Sequence, residues 1–197
     1  DGTYDQIRPL TRLVGNQDFY CFDLSAATDR WPLVFMFEVM VMIFDRSFAS
    51  AVVNSALALK IFYIQFINDC RMNRPASWIS FVAGQPLGYR SSWALFALTH
   101  HLLVWCAAEQ VYPGKRFDKY AILGDDIVIA DSKVAQVYKT ALASLQVKIS
   151  ESQSLISHSG AAEFAKRFLM SSKLSPVTRK SLLGVHLPMC KFALAQK

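Results

Sequence analysis

Apolar positions recur at two different periods along this chain, and the switches between them mark out its elements. Residues 19–24 alternate aromatic and small side chains around Asp23, which predicts a strand. Residues 25–30 carry capping residues and read as a loop. Trp31-Pro32 opens a helix that runs to about Phe48, with proline tolerated in the first turn. Leu57, Ile61, Ile64 and Ile67 then recur at helical spacing within residues 52–70. Residues 71–76 are basic and reach a proline, so they read as a loop, and residues 78–82 read as a strand. A Gly/Pro turn over 84–88 leads into a long apolar helix over 89–111, followed by a loop over 112–119.

The second half is more regular. Two short apolar runs, 120–123 and 127–130, flank Gly124-Asp125-Asp126 and predict a hairpin. Residues 132–145 have helical spacing with Ser132 as a capping candidate. A short strand is expected over 147–150, and a strand or turn over 163–170. From Ser171 the chain is basic and holds Pro176 and Pro188. The order of elements predicts a mixed α+β fold, a small antiparallel sheet backed by helices, with residues 1–170 as its body and 171–197 as an appended tail.

Composition narrows the function classes. A chain of 197 residues suits one domain with short appendages. At 53% hydrophobic and 18% charged it is the opposite of a disordered chain. Its net charge of +6 is compatible with a polyanion such as nucleic acid, and is also common among proteins that bind none. The four cysteines lie far apart, with no CxxC or HxxxH spacing, which argues against zinc and for buried thiols in a reducing compartment. Residues 91–108 hold no Asp, Glu, Lys or Arg and meet the lower length limit of a membrane span. Thr99, His100 and His101 sit near the middle of that stretch, so a helix buried in a protein core explains it equally well, and no stable membrane insertion is expected. The chain starts at Asp1 without a basic, Ser-rich leader, which reads as a trimmed chain or a fragment.

Three segments can carry chemistry. In Gly124-Asp125-Asp126 a tight hairpin would hold adjacent carboxylates at its tip, where like charges repel unless a divalent cation joins them. Turn residues alone would also account for the tripeptide. Asp23 ends the first strand, in Cys21-Phe22-Asp23-Leu24-Ser25. Were that strand beside the hairpin, Asp23 and Asp125 could share two Mg²⁺ ions about 3.5–4 Å apart; the plainer reading is an Asp capping the next element. The third segment, Gly84-Gln85-Pro86-Leu87-Gly88 through Ser91-Ser92-Trp93, joins a strand to a helix start whose N–H groups and hydroxyls could hold a phosphate or ribose. A serine cap on a plain connection is the alternative.

Together these segments resemble the motifs of viral RNA-dependent RNA polymerases, and most closely those of mitoviruses. Asp1 to Gln6 resembles the family's lead-in, and Phe22 to Arg30 resembles motif A. Gly84 to Trp93, on through Leu98-Thr99-His100-His101, resembles motif B, Leu123 to Asp126 motif C, and Glu163 to Phe168 motif E. The resemblance implies a polymerase palm in which Asp23 and Asp125 bind catalytic Mg²⁺, or Mn²⁺, with Asp126 in support. It implies a nucleotide site of Asp29, Gly84, Gln85, Ser91 and Ser92, with Asp29 and Ser92 facing the ribose 2′-hydroxyl that separates RNA from DNA. Gly84 and Gly88 would let the motif B loop flex. Lys166 and Arg167 would touch primer-strand phosphates, although exposed Lys-Arg is commonly just a solvated face.

The implied partners are an RNA template and primer and nucleoside triphosphates. The implied reaction is template-directed nucleotidyl transfer to an RNA 3′-end by two-metal catalysis. Two departures weigh on it. Tyr89-Arg90 stands where the family usually places a small residue after the second glycine. Gln153 stands where a lysine is expected to protonate the leaving pyrophosphate, a role that typically contributes roughly 10²–10⁴-fold. The length fits a palm with fingers and most of the thumb absent, like mitovirus sequence captured in plant mitochondrial genomes. That implies a mitochondrial location and weak or no activity alone. The competing readings are a non-catalytic remnant without enzymatic activity, a small membrane protein using residues 91–108, and a reverse transcriptase, which shares the palm.

Overall fold

The computed structural model describes residues 1–58, 60–64, 77–170 and 173–178. The chain forms two compact units. The first comprises Asp1–Leu24, Val104–Thr140 and Ile149–Lys197; the second comprises Ser25–Leu103 and Ala141–Lys148.

In chain order, α1 (Arg8–Thr11) precedes β1 (Phe19–Ser25), α2 (Ala27–Arg30) and α3 (Leu33–Ile43). Next, α4 (Arg46–Ala49) runs on as a π-helical stretch, Ser50–Ala58, before β2 (Ile61–Ile64) and β3 (Ser77–Ser80). The long helix α5 (Arg90–Val111) is followed by β4 (Tyr120–Leu123), β5 (Asp126–Ile129), α6 (Ser132–Ser144) and β6 (Lys148–Ile149). A 3₁₀ turn, Glu151–Gln153, leads to β7 (Leu155–Ser157), β8 (Ala161–Phe164), β9 (Arg167–Met170) and β10 (Lys173–Thr178).

The first unit is built on a sheet of order β4-β5-β1-β6, with β7 also pairing β1. All the registered pairs are antiparallel: β1 with β5 and β7, and β4 with β5. Alternation along β1 divides its side chains between two faces. Phe19 and Cys21 join Ala121, Val128, Leu10, Leu13, Ala162 and Phe164 in a core between the sheet, α1 and β8. On the other face Phe22 stacks on the fully buried Tyr138 of α6, ring centroids 6.0 Å apart. Strands β8, β9 and β10 form a second antiparallel sheet. Gly2 donates its N–H to the carbonyl of Ile122 on β4, at 2.8 Å.

In the second unit Trp31, fully buried, anchors the helices. Its indole N–H donates to the Thr99 hydroxyl at 2.9 Å, and its ring meets Phe96 edge-on at 4.9 Å. Met36, Val39 and Met40 form the buried stripe of α3, and Leu95, Phe96, Thr99, His100 and Leu103 that of α5, both at helical spacing.

Several expected elements take another form. The helix opening at Trp31 stops at Ile43, because Phe44 leaves helical geometry and Asp45 caps a new start by accepting the Phe48 N–H. Ile61 and Ile64 lie on β2, paired with Ser80 and Ser77, and not on a continuing helix; Ile67 and residues 65–76 lie outside the described residues. Residues 27–30 of the expected loop form the short helix α2. Asp131, not Ser132, caps α6 by accepting the Val134 N–H at 2.9 Å. The strand-or-turn over 163–170 is the β8–β9 hairpin, and Pro176 lies on β10. Pro188 and residues 179–197 fall outside the described residues. Of the cysteines, Cys21 is a buried free thiol, its pKa pushed up to about 12 by burial, and Cys106 is free and exposed. Among the described residues no helix is long and apolar enough to cross a membrane.

Candidate active site

In the first unit Asp23, Asp125 and Glu163 lie within electrostatic reach of Asp126. The turn between β4 and β5 consists of Gly124, at φ +61°, and Asp125; Asp126 already belongs to β5. The two-residue turn fixes the β4–β5 register, with Asp126 opposite Leu123, and the separate β1–β5 ladder sets Asp126 opposite Asp23. Residues directly opposed in an antiparallel ladder point to the same face. Asp23 and Asp126 therefore share the face that carries Cys21, while Asp125 stays exposed at the tip. The pair in register is Asp23 and Asp126, with Asp125 one residue before it.

Asp23 is 7% exposed and held on both sides of its backbone. Its N–H donates to the Ser154 hydroxyl at 3.3 Å, and its carbonyl accepts the Ser150 N–H at 2.8 Å. Gln153 lies exposed beside these residues, its side-chain carbonyl accepting from the Ser150 hydroxyl at 3.3 Å. Burial pushes the Asp126 carboxyl up to about 6; the Lys166 ammonium opposes that rise, and the carboxylates of Asp23, Asp125 and Glu163 add to it. Glu163 is the acidic residue that sequence reasoning did not single out. Its signal was the alternation Ala162-Glu163-Phe164, in which buried neighbours turn Glu163 to the opposite face.

Lys166 reaches into the acidic group. Its ammonium lies 3.4 Å from Asp23 Oδ2, and although burial works the other way, Asp126, Asp23 and Glu163 hold its pKa above the usual lysine value. The turn that presents it is strained. Ala165 and Lys166 both take left-handed backbone angles, φ +53° and +61°, a pairing that glycine or asparagine ordinarily supplies and that costs roughly 1–2 kcal/mol per residue otherwise. Arg167 begins β9, opposite Phe164.

The second unit holds the motif B residues together with Asp29. Gln85 donates its backbone N–H to the Thr28 carbonyl at 2.9 Å, and Leu33 donates to the Ala83 carbonyl at 3.0 Å. Gly84 sits so close to Thr28 and Asp29 that any Cβ would collide with their backbone. The two glycines of the loop thus do different things: Gly84 permits a close approach, and Gly88, at φ +93° in open space, permits the turn. Asp29 is exposed on α2. Gln85 is fully buried and donates its amide to the Ser92 carbonyl at 3.2 Å. Among the described residues Gln85 Oε1 and Ser92 Oγ are both buried without a hydrogen-bond partner, a condition that costs about 1–3 kcal/mol per group. Ser91 beside them is half-buried. Tyr89 is exposed, with the Lys60 ammonium 5.8 Å above its ring.

The sequence profile of the mitovirus RNA-dependent RNA polymerase matches residues 1–186. This chain belongs to the mitovirus RNA-dependent RNA polymerase family. A mitochondrial protein of Arabidopsis thaliana is 59% identical over 156 residues, covering 79% of this chain and 75% of that protein. A second is 48% identical over 193 residues, covering 93% and 74%. The RNA-directed RNA polymerase of Cryphonectria parasitica mitovirus 1 is 40% identical over 172 residues, which cover 85% of this chain and 20% of the viral enzyme. Among solved structures, apo telomerase from Candida tropicalis, truncated from its C-terminal domain, superposes with a TM-score of 0.57 at 10% identity, covering 85% of this chain and 37% of its own. Telomerase from Candida albicans in complex with a fragment of telomeric RNA gives 0.54 at 13% identity, covering 88% and 33%. At such low identity these two establish the fold alone: the mitovirus family chain has the α+β architecture of a polymerase palm.

Among the described residues, no three carboxylate, thiol or imidazole side chains stand close enough to hold a metal ion in this arrangement. The donor set nevertheless suits a hard divalent cation. It consists of carboxylate oxygens, Asp126 lifted chiefly by burial and further by its acidic neighbours, and Asp23 already held by a cation, the Lys166 ammonium. A cavity of about 250 Å³, lined by Arg12, Trp105, Glu109, Arg116, Phe117 and Tyr120 among others, lies at the far end of the β4–β5 hairpin from Asp125 and has no part in this chemistry.

Proposed function

We propose that the chain is the palm of an RNA-dependent RNA polymerase, whose reaction is template-directed nucleotidyl transfer to an RNA 3′-end. The observation that carries this reading is the ladder register that sets Asp23 across from Asp126, beside Asp125, in a chain of this family. Asp23, Asp125 and Asp126 would hold Mg²⁺, or Mn²⁺. Ions held there would supply positive charge to lower the pKa of an attacking hydroxyl and to offset the charge of the triphosphate and departing pyrophosphate.

The chain's own residues do the positioning. Ser150 and Ser154 pin the Asp23 backbone, which fixes where its side chain leaves the strand. Gln85 Oε1 and Ser92 Oγ hold unspent hydrogen-bonding capacity, and the ribose of an incoming nucleotide, met also by Asp29, is the partner that would spend it. Arg167 and Lys166 would meet primer-strand phosphates. The mitochondrial relatives in Arabidopsis support the same compartment for this chain.

A second reading is favoured by specific residues. Gln153 cannot protonate a leaving pyrophosphate, and the chain spans only 20% of the viral polymerase it matches. Under that reading it is a mitovirus-derived remnant that folds without turning over. Primer extension on an RNA template with Mg²⁺, comparing the chain with Asp125→Ala, separates the two. Incorporation lost in the variant supports the polymerase; equal incorporation, or none in either, removes it.

A further inference from the structure

We propose that Lys166 is the resident counter-cation of the acidic site and that a divalent ion binds there only by displacing it, so that Lys166 sets the metal affinity of the chain. This rests on the reading of Asp23, Asp125 and Asp126 as metal ligands.

Three features point the same way. The contact is lopsided: the Asp23 side chain is 10% exposed and its backbone is pinned, whereas the Lys166 side chain is 58% exposed. The carboxylate is the fixed partner and the ammonium is the one able to leave. The ammonium also occupies the coordinating atom itself, since it lies 3.4 Å from Asp23 Oδ2. A divalent ion on that oxygen would place two like-signed charges at a few ångströms, an arrangement that repels strongly in a partly buried setting. Finally, the turn is shaped for this placement. Two consecutive left-handed residues that are not glycine bring Lys166 over Asp23, and backbone strain of this kind persists where the surroundings hold it in place. The carboxylates of Asp23, Asp126 and Glu163 provide that hold.

One positive charge cannot balance this group. Asp23 and Asp126 face each other, with Asp125 and Glu163 within electrostatic reach of Asp126. Lys166 keeps the metal-free chain tolerable, and an ion of twice its charge replaces it. By linkage, whatever holds Lys166 on Asp23 weakens the metal by the same factor.

The test is Mn²⁺ binding to the 197-residue chain, followed by electron paramagnetic resonance and by calorimetry, with circular dichroism to confirm folding. Lys166→Met is expected to bind Mn²⁺ roughly tenfold more tightly, within the usual range of such coupling. Lys166→Arg, which keeps the charge, is expected to bind like the parent chain. Arg167→Met removes one charge next door and is expected to change affinity much less than Lys166→Met. In an Asp23→Asn background, Lys166→Met is expected to lose its effect. An affinity for Lys166→Met equal to or below that of the parent overturns the proposal and leaves the metal site standing, as does an equal gain from Arg167→Met. Absence of Mn²⁺ binding in both the folded parent and folded Lys166→Met overturns the metal site itself, and this inference with it.

Discussion

Asp23 and Asp126 stand directly across from each other in the β1–β5 ladder, and burial with the surrounding carboxylates lifts Asp126 to about 6. A carboxyl whose pKa is raised on folding favours the folded state in its protonated form. That contribution is complete below the ordinary value of 3.8 and is lost as pH rises through about 6. In chelator, the melting temperature is therefore expected to gain from this group as pH falls from about 7 to 5. Thermal melts of the chain and of Asp126→Asn check it: the variant should lack that pH-dependent gain.

Gly84→Ala is expected to destabilise the second unit by about 1–3 kcal/mol, the usual penalty for forcing atoms into a filled space. The new Cβ would strike the backbone of Thr28 and Asp29, which cannot swing aside as a side-chain tip can. Gly88→Ala meets no neighbour and has only backbone strain to contend with. Urea denaturation of both separates crowding from strain.

Thr99→Val should cost about 1–3 kcal/mol, because it leaves the indole N–H of the fully buried Trp31 without an acceptor. Trp31→Phe in the same background should recover part of that loss by removing the stranded donor. A double-mutant cycle in denaturant measures the coupling.

Gln146→Gly is expected to stabilise the chain by about 0.5–1 kcal/mol. Gln146 sits at φ +59° just past α6, where its N–H meets the Ala143 carbonyl and that of Val147 meets Leu142. Glycine takes that conformation without a Cβ penalty, and equilibrium unfolding reads the gain.

The β4–β5 hairpin and the long helix α5 were legible because their signals are local: apolar runs bounding a turn, and an unbroken helical stripe. The break at Phe44 had a local signal too, Asp45 followed by Arg46-Ser47-Phe48, but it lay inside a strongly apolar stretch whose periodicity dominated. Ile61 and Ile64 were misplaced because a short β-branched run fits a helix face and a strand equally well, and only pairing with Ser80 and Ser77 decides. At the site, the acidic residues could be found from their motifs, but not the pairing that joins them. Whether Asp23 opposes Asp125 or Asp126 depends on the register of the long-range β1–β5 ladder, and a slip of one residue would change the pair. The contact between Lys166 and Asp23 spans 143 positions and leaves no mark in either segment.

The bond from Gly2 to Ile122 has a practical consequence. Among the described residues β4 is the edge of its sheet: it pairs with β5 on one side, and on the other the Ile122 carbonyl accepts from Gly2 along a nearly apolar run, Tyr120–Leu123. Such a rim recruits strands from other molecules unless something blocks it. The opening residues do the blocking here, and a version trimmed past Gly2 should self-associate as its concentration rises.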